Sequence, residues 1–199
     1  MYKIVVLVLA AGSSSRMGSP KQLLKWNNTT LLGQAIKTAK RLNTTNIIVV
    51  LGDSHEVIKS KIKDSEIQIL NNKNWKNGLG NSIAFGVKNI LKTKSNTDGI
   101  LIMLSDQPLI DSKYLNSLIN KFNIGKHQII ATSYKNKKLG VPVLFDKVYF
   151  TELSKLNNDK GAKAIIQKYI KKVSVINGEQ VVSDIDTLED YENLYRANH

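Results

Sequence analysis

The sequence has no cysteine among its 199 residues, which excludes disulfides and thiolate metal sites and fits a cytoplasmic location. It also lacks any apolar run near the roughly 18 residues needed to cross a bilayer, so no membrane partner is expected. The opening Met-Tyr-Lys and its apolar run have no small-residue cleavage site and are expected to be mature structure rather than a secretory signal. Acidic residues are scarce: 16 Asp and Glu stand against 29 Lys and Arg, a formal charge of +13. A basic surplus can mark nucleic-acid binding. Here the lysines are dispersed, with only a short cluster at Lys135, Lys137 and Lys138, and no nucleic-acid module is recognisable, so no such partner is expected. A positive field also draws in small polyanions such as triphosphates. With 42% hydrophobic residues, the chain suits one domain over residues 1–199 with a real core.

Two familiar phosphate-binding signatures are missing as well. After Gly18 come Ser19 and Pro20 before Lys21, which breaks the Gly-x-x-x-x-Gly-Lys-Ser/Thr pattern, and Pro20 discourages a helix from starting there. Gly12 has no partner glycine two residues on, so the dinucleotide fingerprint is absent too. What is present is an apolar run from Ile4 to Ala10 that reads as a strand buried on both faces. It opens into Leu9-Ala-Ala-Gly-Ser-Ser-Ser-Arg-Met-Gly-Ser-Pro-Lys-Gln-Leu-Leu24. Glycines let a backbone turn tightly beside a ligand, and successive loop N–H groups can cradle an anion. Arg16 brings a planar fork of donors and Lys21 a compact charge, the equipment a nucleoside triphosphate requires.

Strand-like and helix-like runs then alternate, the mark of an α/β fold with a largely parallel sheet. Strands are expected at residues 3–10, 46–51, 66–70, 99–104, 128–133 and 141–145. Helices are expected from Leu31 to Leu42 with Thr30 as N-cap, after Ser54 with Val57, Ile58 and Ile62 on one face, from Ser82 to about Lys92, after Asp111, up to Tyr169, and after Thr187. Asp106 follows the strand ending at Leu104, where ligands of open α/β sheets gather, and suits a hard cation such as Mg²⁺. Asp184 and Asp186 are two apart, so in an extended segment both face one way. Asp186 is expected as the second metal carboxylate, with Asp184 in reserve. No nucleophile with an adjacent base is evident, which disfavours a covalent enzyme intermediate. His55, His127 and His199 lack mutual spacing and read as incidental.

The loop from Leu9 to Leu24 resembles the signature of the MobA-like nucleotidyltransferases, specifically the molybdenum cofactor cytidylyltransferase branch. Four later segments are similar to that family in the expected order: Asn72 through Gly86 with Trp75, Gly78, Leu79 and Ser82; Ser105-Asp106-Gln107-Pro108; Leu139-Gly-Val-Pro-Val; and Asp159-Lys-Gly-Ala-Lys163 before the closing Asp184-Ile-Asp-Thr. Several positions depart from the family pattern: Ser105 and Asn158 replace glycines, Lys163 an arginine, Leu188 a proline, and Val141 a histidine associated with the acceptor.

The resemblance implies a three-layer α/β/α nucleotidyltransferase fold, Rossmann-like and GT-A-like, with a mostly parallel mixed sheet. It implies Mg²⁺-dependent transfer of CMP from CTP to the terminal phosphate of molybdenum cofactor, with release of pyrophosphate. Arg16 and Lys21 would act on the phosphates. Leu9, Ala10, Ala11, Gly12, Ser13, Ser14, Asn72, Gly78 and Ser82 would border the nucleotide. Asp106 and Asp186 would hold the metal, and Gln107, Pro142 and Gly161 the acceptor. Ala11 stands where the guanylyl branch usually has glycine, and its methyl narrows the base pocket in favour of a pyrimidine. A molybdoenzyme receiving the product is the implied protein partner. Two alternatives stay open: another phosphorylated acceptor, such as a sugar or polyol phosphate, and a non-catalytic chaperone that delivers the cofactor.

Overall fold

The computed structural model describes residues 2–14, 17–42, 46–157, 159–179 and 181–199. In chain order the elements are β1 (Ile4–Ala10), β2 (Lys25–Trp26), β3 (Thr29–Thr30), α1 (Leu31–Lys40), β4 (Asn46–Leu51), α2 (His55–Lys61), β5 (Gln68–Asn71) and α3 (Leu79–Thr93). They continue with β6 (Gly99–Leu104), α4 (Ser112–Lys121), β7 (Ile129–Ser133), β8 (Leu139–Asp146), α5 (Phe150–Leu153), α6 (Lys163–Lys168), β9 (Val173–Asn177) and α7 (Leu188–Asn198).

Seven strands form one sheet in the order β5-β4-β1-β6-β8-β7-β9. Its pairs are parallel except at β8, which runs antiparallel to both β6 and β7. β1 lies near the middle, and all seven of its residues are buried. Its side chains alternate between two cores. Ile4, Val6, Val8 and Ala10 join α1, α2 and α4 on one face; Val5, Leu7 and Leu9 join α3, α5 and α6 on the other. Covered faces on both sides explain the unbroken apolar runs of the central strands. The result is the expected three-layer α/β/α arrangement with a mostly parallel mixed sheet.

Local chemistry sets the boundaries. The Thr30 side chain accepts from Gly33 N and starts α1, and Asp111 accepts from Tyr114 N and starts α4. Thr187 and Asp190 form a reciprocal capping box at α7. The third strand lies slightly later than expected, at Gln68–Asn71, and α3 starts at Leu79, three residues before Ser82. Val57 is not on the buried face: α2 is a two-turn helix that commits only Ile58 fully to the core, while Val57 is 54% exposed.

Three features were not anticipated. The hairpin β2–β3 turns through Asn27 at φ 50°, a left-handed conformation that asparagine tolerates. Strand β9 pairs parallel with β7 at the sheet edge. His199 is not incidental: it stacks on Tyr195, meets Trp26 edge-on, and its Nε2 pairs with Asn27 Oδ1 at 2.8 Å.

Candidate active site

The parallel strands β1, β4, β5 and β6 deliver their following loops to one edge of the sheet. There Leu9, Ala10, Ala11, Gly12, Ser13, Lys21, Gly78, Ser82 and Asp106 line a single cleft of about 390 Å³. Gln22, Trp75, Lys76, Leu79, Leu104, Ser105 and Asp159 complete it. Arg16 and Asn158 lie outside the described residues.

The phosphate loop is tied back on itself. Gln22 is 1% exposed, and its Nε2 donates to the carbonyls of Ala10 and Gly12, each at 2.9 Å. Ser14, at φ 52°, accepts from Lys21 N through its hydroxyl and from Met17 N through its carbonyl. Ser14 thus shapes the loop from behind the cleft. Gln22 was not singled out in the sequence; its signal was a polar residue set directly before an apolar pair. Replacing Gln22 with alanine should cost about 1–3 kcal/mol and weaken nucleotide binding, because two loop carbonyls lose their shared donor. Thermal melting with and without nucleotide reads both effects; an unchanged ligand-induced shift would contradict the tether.

A second tether comes from Asn72, also 1% exposed. Its Nδ2 donates to Asn81 Oδ1 and Ser82 Oγ, both at 3.1 Å, and its Oδ1 accepts from Asn74 N. Asn72 therefore orients Ser82 rather than facing the cleft itself. Gly52 allows the ends of three strands to converge: a Cβ there would sit 2.6 Å from both the Ala11 carbonyl oxygen and Trp75 Cβ. Trp75 both packs against this point and lines the cleft.

The charged centre lies at the tip of β6. Lys21 Nζ donates to Asp106 Oδ2 at 2.5 Å and to the Ile185 carbonyl at 2.9 Å, and lies 3.6 Å from Asp186 Oδ1. Lys21 and Asp106 side chains are 15% and 14% exposed, whereas Asp186 is 64% exposed. Burial pushes the Asp106 carboxyl above its ordinary value, and the Lys21 ammonium opposes that push without cancelling it. Asp106 Oδ1 is buried with no hydrogen-bond partner among the described residues. No group of three or more His, Cys, Asp or Glu among the described residues is arranged around a metal. A nucleotide-bound Mg²⁺ needs no such cage, since it takes one or two carboxylates with water and phosphate oxygens. The free Oδ1 of Asp106 and the exposed Asp186 fit that donor set.

A neighbouring cleft of about 340 Å³ shares Leu79 and Leu104 with the first. Tyr134, Lys138, Leu139, Gly140, Val141, Lys160, Ala162, Lys163, Ile166 and Asp184 form the rest of its wall. Of the expected acceptor residues, Gln107, Pro142 and Gly161 stand behind this wall. Gln107 is 3% exposed, and its Nε2 donates to Asp184 Oδ1 at 2.7 Å and to the Tyr134 hydroxyl at 3.3 Å. The Tyr134 hydroxyl in turn donates to the Val141 carbonyl, while Thr132 Oγ1 donates to the Pro142 carbonyl at 2.6 Å. The Val141–Pro142 bond is cis. Burial pushes the Tyr134 phenol up to about 12, so it stays a neutral group. Gly161, at φ 58°, lets the chain pass so close to Leu79 that a Cβ would sit 2.9 Å from Leu79 Cδ2. Leu79 is the partition between the two clefts. Asp184 thus faces the second cleft and Asp186 the charged centre, although they are only two residues apart.

The sequence profile of the MobA-like NTP transferase domain matches residues 6–173. The chain is 28% identical to the purine catabolism protein PucB of Bacillus subtilis (strain 168), covering 98% of this chain and 97% of PucB. It is 26% identical to nicotine blue oxidoreductase of Paenarthrobacter nicotinovorans, over 96% and 94% of the two chains. Among solved structures, Rv0371c from Mycobacterium tuberculosis H37Rv superposes with a TM-score of 0.85 at 27% identity, covering 98% of both chains. Rv0371c has also been solved in complex with manganese, a form that superposes with a TM-score of 0.81 at 26% identity and covers 98% of this chain and 99% of that one.

Proposed function

Because the chain belongs to the MobA-like NTP transferase family, we propose that it transfers CMP from CTP to the terminal phosphate of molybdenum cofactor and releases pyrophosphate. The observation that carries this reading is the pair of clefts meeting at Leu79 and Leu104 beside Asp106. One is walled by the glycine and serine loop; the other offers Lys138, Lys160 and Lys163 to an anionic acceptor.

The chain's own groups divide the work. The backbone from Ala11 to Ser13 and the Lys21 ammonium receive phosphate oxygens of the donor, and Arg16 takes the β/γ end. Acceptor lysines bring the incoming phosphate towards the α-phosphorus. An acceptor phosphate oxygen bonds to that phosphorus as the bond to the pyrophosphate oxygen breaks. The attacking phosphate is ionised at neutral pH, so no general base is required. Asp106 and Asp186 would hold Mg²⁺, which when bound neutralises charge on the phosphate oxygens. Positioning and electrostatics supply the catalysis.

The test is pyrophosphate release with Mg²⁺, each of the four nucleoside triphosphates in turn, and molybdenum cofactor as acceptor. Release with CTP supports the reading. Release with GTP alone overturns the base assignment, and silence with every nucleotide overturns the reaction. One observation favours a second reading, a sugar or polyol phosphate acceptor: the acceptor wall carries Val141 instead of the histidine seen in the resembling family. Replacing molybdenum cofactor with such phosphates in the same assay separates the two. Turnover itself separates both from a delivery chaperone.

Base choice gives a finer expectation. Ala11 is 7% exposed and lines the nucleotide cleft. Ala11→Gly should lower the preference for CTP over GTP by about tenfold, the usual effect of one methyl in a fitted pocket. Ratios of kcat/KM for the two nucleotides report it, and an unchanged ratio removes Ala11 from base selection.

A further inference from the structure

We infer that the Lys21 ammonium is the resting occupant of the catalytic cation site, and that a divalent cation and the nucleotide bind cooperatively because the nucleotide phosphates take over this ammonium. The inference rests on the cation-dependent transferase reading above.

Lys21 Nζ is surrounded by Asp106 Oδ2 at 2.5 Å, the Ile185 carbonyl at 2.9 Å and Asp186 Oδ1 at 3.6 Å. These carboxylate and carbonyl oxygens are the hard donors that a divalent cation seeks. A lysine serving phosphates alone would point its charge into the open cleft. Here the side chain is 15% exposed and turned onto both aspartates. The Lys21 backbone is held by Ser14 Oγ at 2.9 Å and the Ile185 carbonyl by its place beside Asp106, whose own carbonyl accepts from Ile185 N. The flexible four-carbon stem is the part free to swing.

Two cations on one carboxylate repel strongly in a poorly solvated site. A divalent ion approaching the unpartnered Asp106 Oδ1 therefore meets the ammonium already on Oδ2. Without nucleotide, displacing the ammonium strips it of its partners. With nucleotide bound, phosphate oxygens at the same loop accept it, and the aspartates become free for the ion. By linkage, the cation must tighten nucleotide binding as much as the nucleotide tightens cation binding.

The experiment is titration of the full chain with Mn²⁺, read by the electron paramagnetic resonance signal of the free ion, with and without CTP and with no acceptor. Each CTP titration is corrected by the same titration without protein for the Mn²⁺ that free CTP chelates. For the native chain, CTP should tighten Mn²⁺ binding by about tenfold or more, within the usual range for coupled sites. K21M removes the competing charge and should bind Mn²⁺ alone about tenfold more tightly than the native chain. CTP, which still ligates the ion through its phosphates, should tighten Mn²⁺ binding to K21M by a clearly smaller factor than in the native chain. K21R, which keeps a cation at that position, should still bind Mn²⁺ alone weakly. A folded K21M with unchanged or weaker Mn²⁺ affinity overturns the inference. So does a native chain in which CTP changes Mn²⁺ affinity less than about twofold, a measurement that needs no variant. Failure of the native chain to bind Mn²⁺ even with CTP would instead bring down the transferase reading, and the inference with it.

Discussion

D106N should turn over about 10³-fold more slowly than the native chain and yet melt at the same temperature or a higher one. The two halves of this expectation have one cause. Asp106 is a largely buried carboxylate, and burial raises its pKa despite the lysine beside it. A carboxyl whose folded value lies above its unfolded value weakens the fold as pH rises through that window, because ionisation is easier in the unfolded chain. The charge that the reaction requires of Asp106 is therefore one that its fold disfavours. Asparagine keeps the shape and leaves an oxygen for Lys21 Nζ while removing the charge. What it cannot do is balance a cation on the nucleotide phosphates, so chemistry is lost while stability is not, a common trade at functional sites. Pyrophosphate release and a melting curve on the same preparation give both numbers. Near-native turnover would remove Asp106 from the reaction, and a large drop in melting temperature would mean that the Lys21 pair is structural. R16A should likewise abolish turnover, since it removes the fork of donors assigned to the leaving pyrophosphate.

Much of this arrangement was legible from residue pattern. Doubly covered strands announce themselves as unbroken apolar runs, and β4 and β6 occupy the very residues expected, 46–51 and 99–104. Caps at Thr30 and Asp111 follow from side-chain oxygens poised before helical periodicity. Elements lacking such signals were missed. β9 (Val173–Asn177) is a half-exposed edge strand of only five residues, preceded by lysines, so nothing in it reads as buried. The hairpin β2–β3 has two residues per strand and owes its existence to the packing of Trp26.

The site divides in the same way. Residues that touch a ligand cleft, such as Gly12, Lys21 and Asp106, sit in motifs. Asn72 and Gln107 also sit in motifs, but their roles as supports, Asn72 behind Ser82 and Gln107 between Asp184 and Tyr134, are visible only in three dimensions, as is Gln22 beneath the loop. Lys21 was legible as a phosphate cation but not as a partner of both aspartates. Its contact with Asp106 spans 85 residues of sequence and that with Ile185 spans 164, separations that no local pattern encodes.

The Ile185 contact leads to the second large effect: Ile185→Ala should lower stability by about 2–5 kcal/mol and also reduce kcat at temperatures well below the melting point. Ile185 is fully buried with Trp26 and Leu31, against Leu109 and the α7 residues Tyr191, Leu194 and Tyr195. Asp184 and Asp186 flank it. Its N–H donates to the Asp106 carbonyl at 3.1 Å, and its own carbonyl accepts from Lys21. One side chain anchored in the small core between the hairpin and α7 thus sets the position of two carboxylates that look into different clefts. Alanine keeps the backbone groups but leaves a cavity, and the segment loses the anchor that fixes its depth. For a chain of this size, each kcal/mol corresponds to roughly 2–4 °C in melting temperature. The expected fall is therefore several degrees or more, and it is measurable by calorimetry. The activity loss distinguishes anchoring from mere packing. If I185A melts early but keeps native kcat and native Mn²⁺ affinity at low temperature, the aspartates are held by their backbone bonds alone. If kcat falls and Mn²⁺ affinity weakens together, the C-terminal segment is a positioning arm of the active site, and its register depends on Ile185.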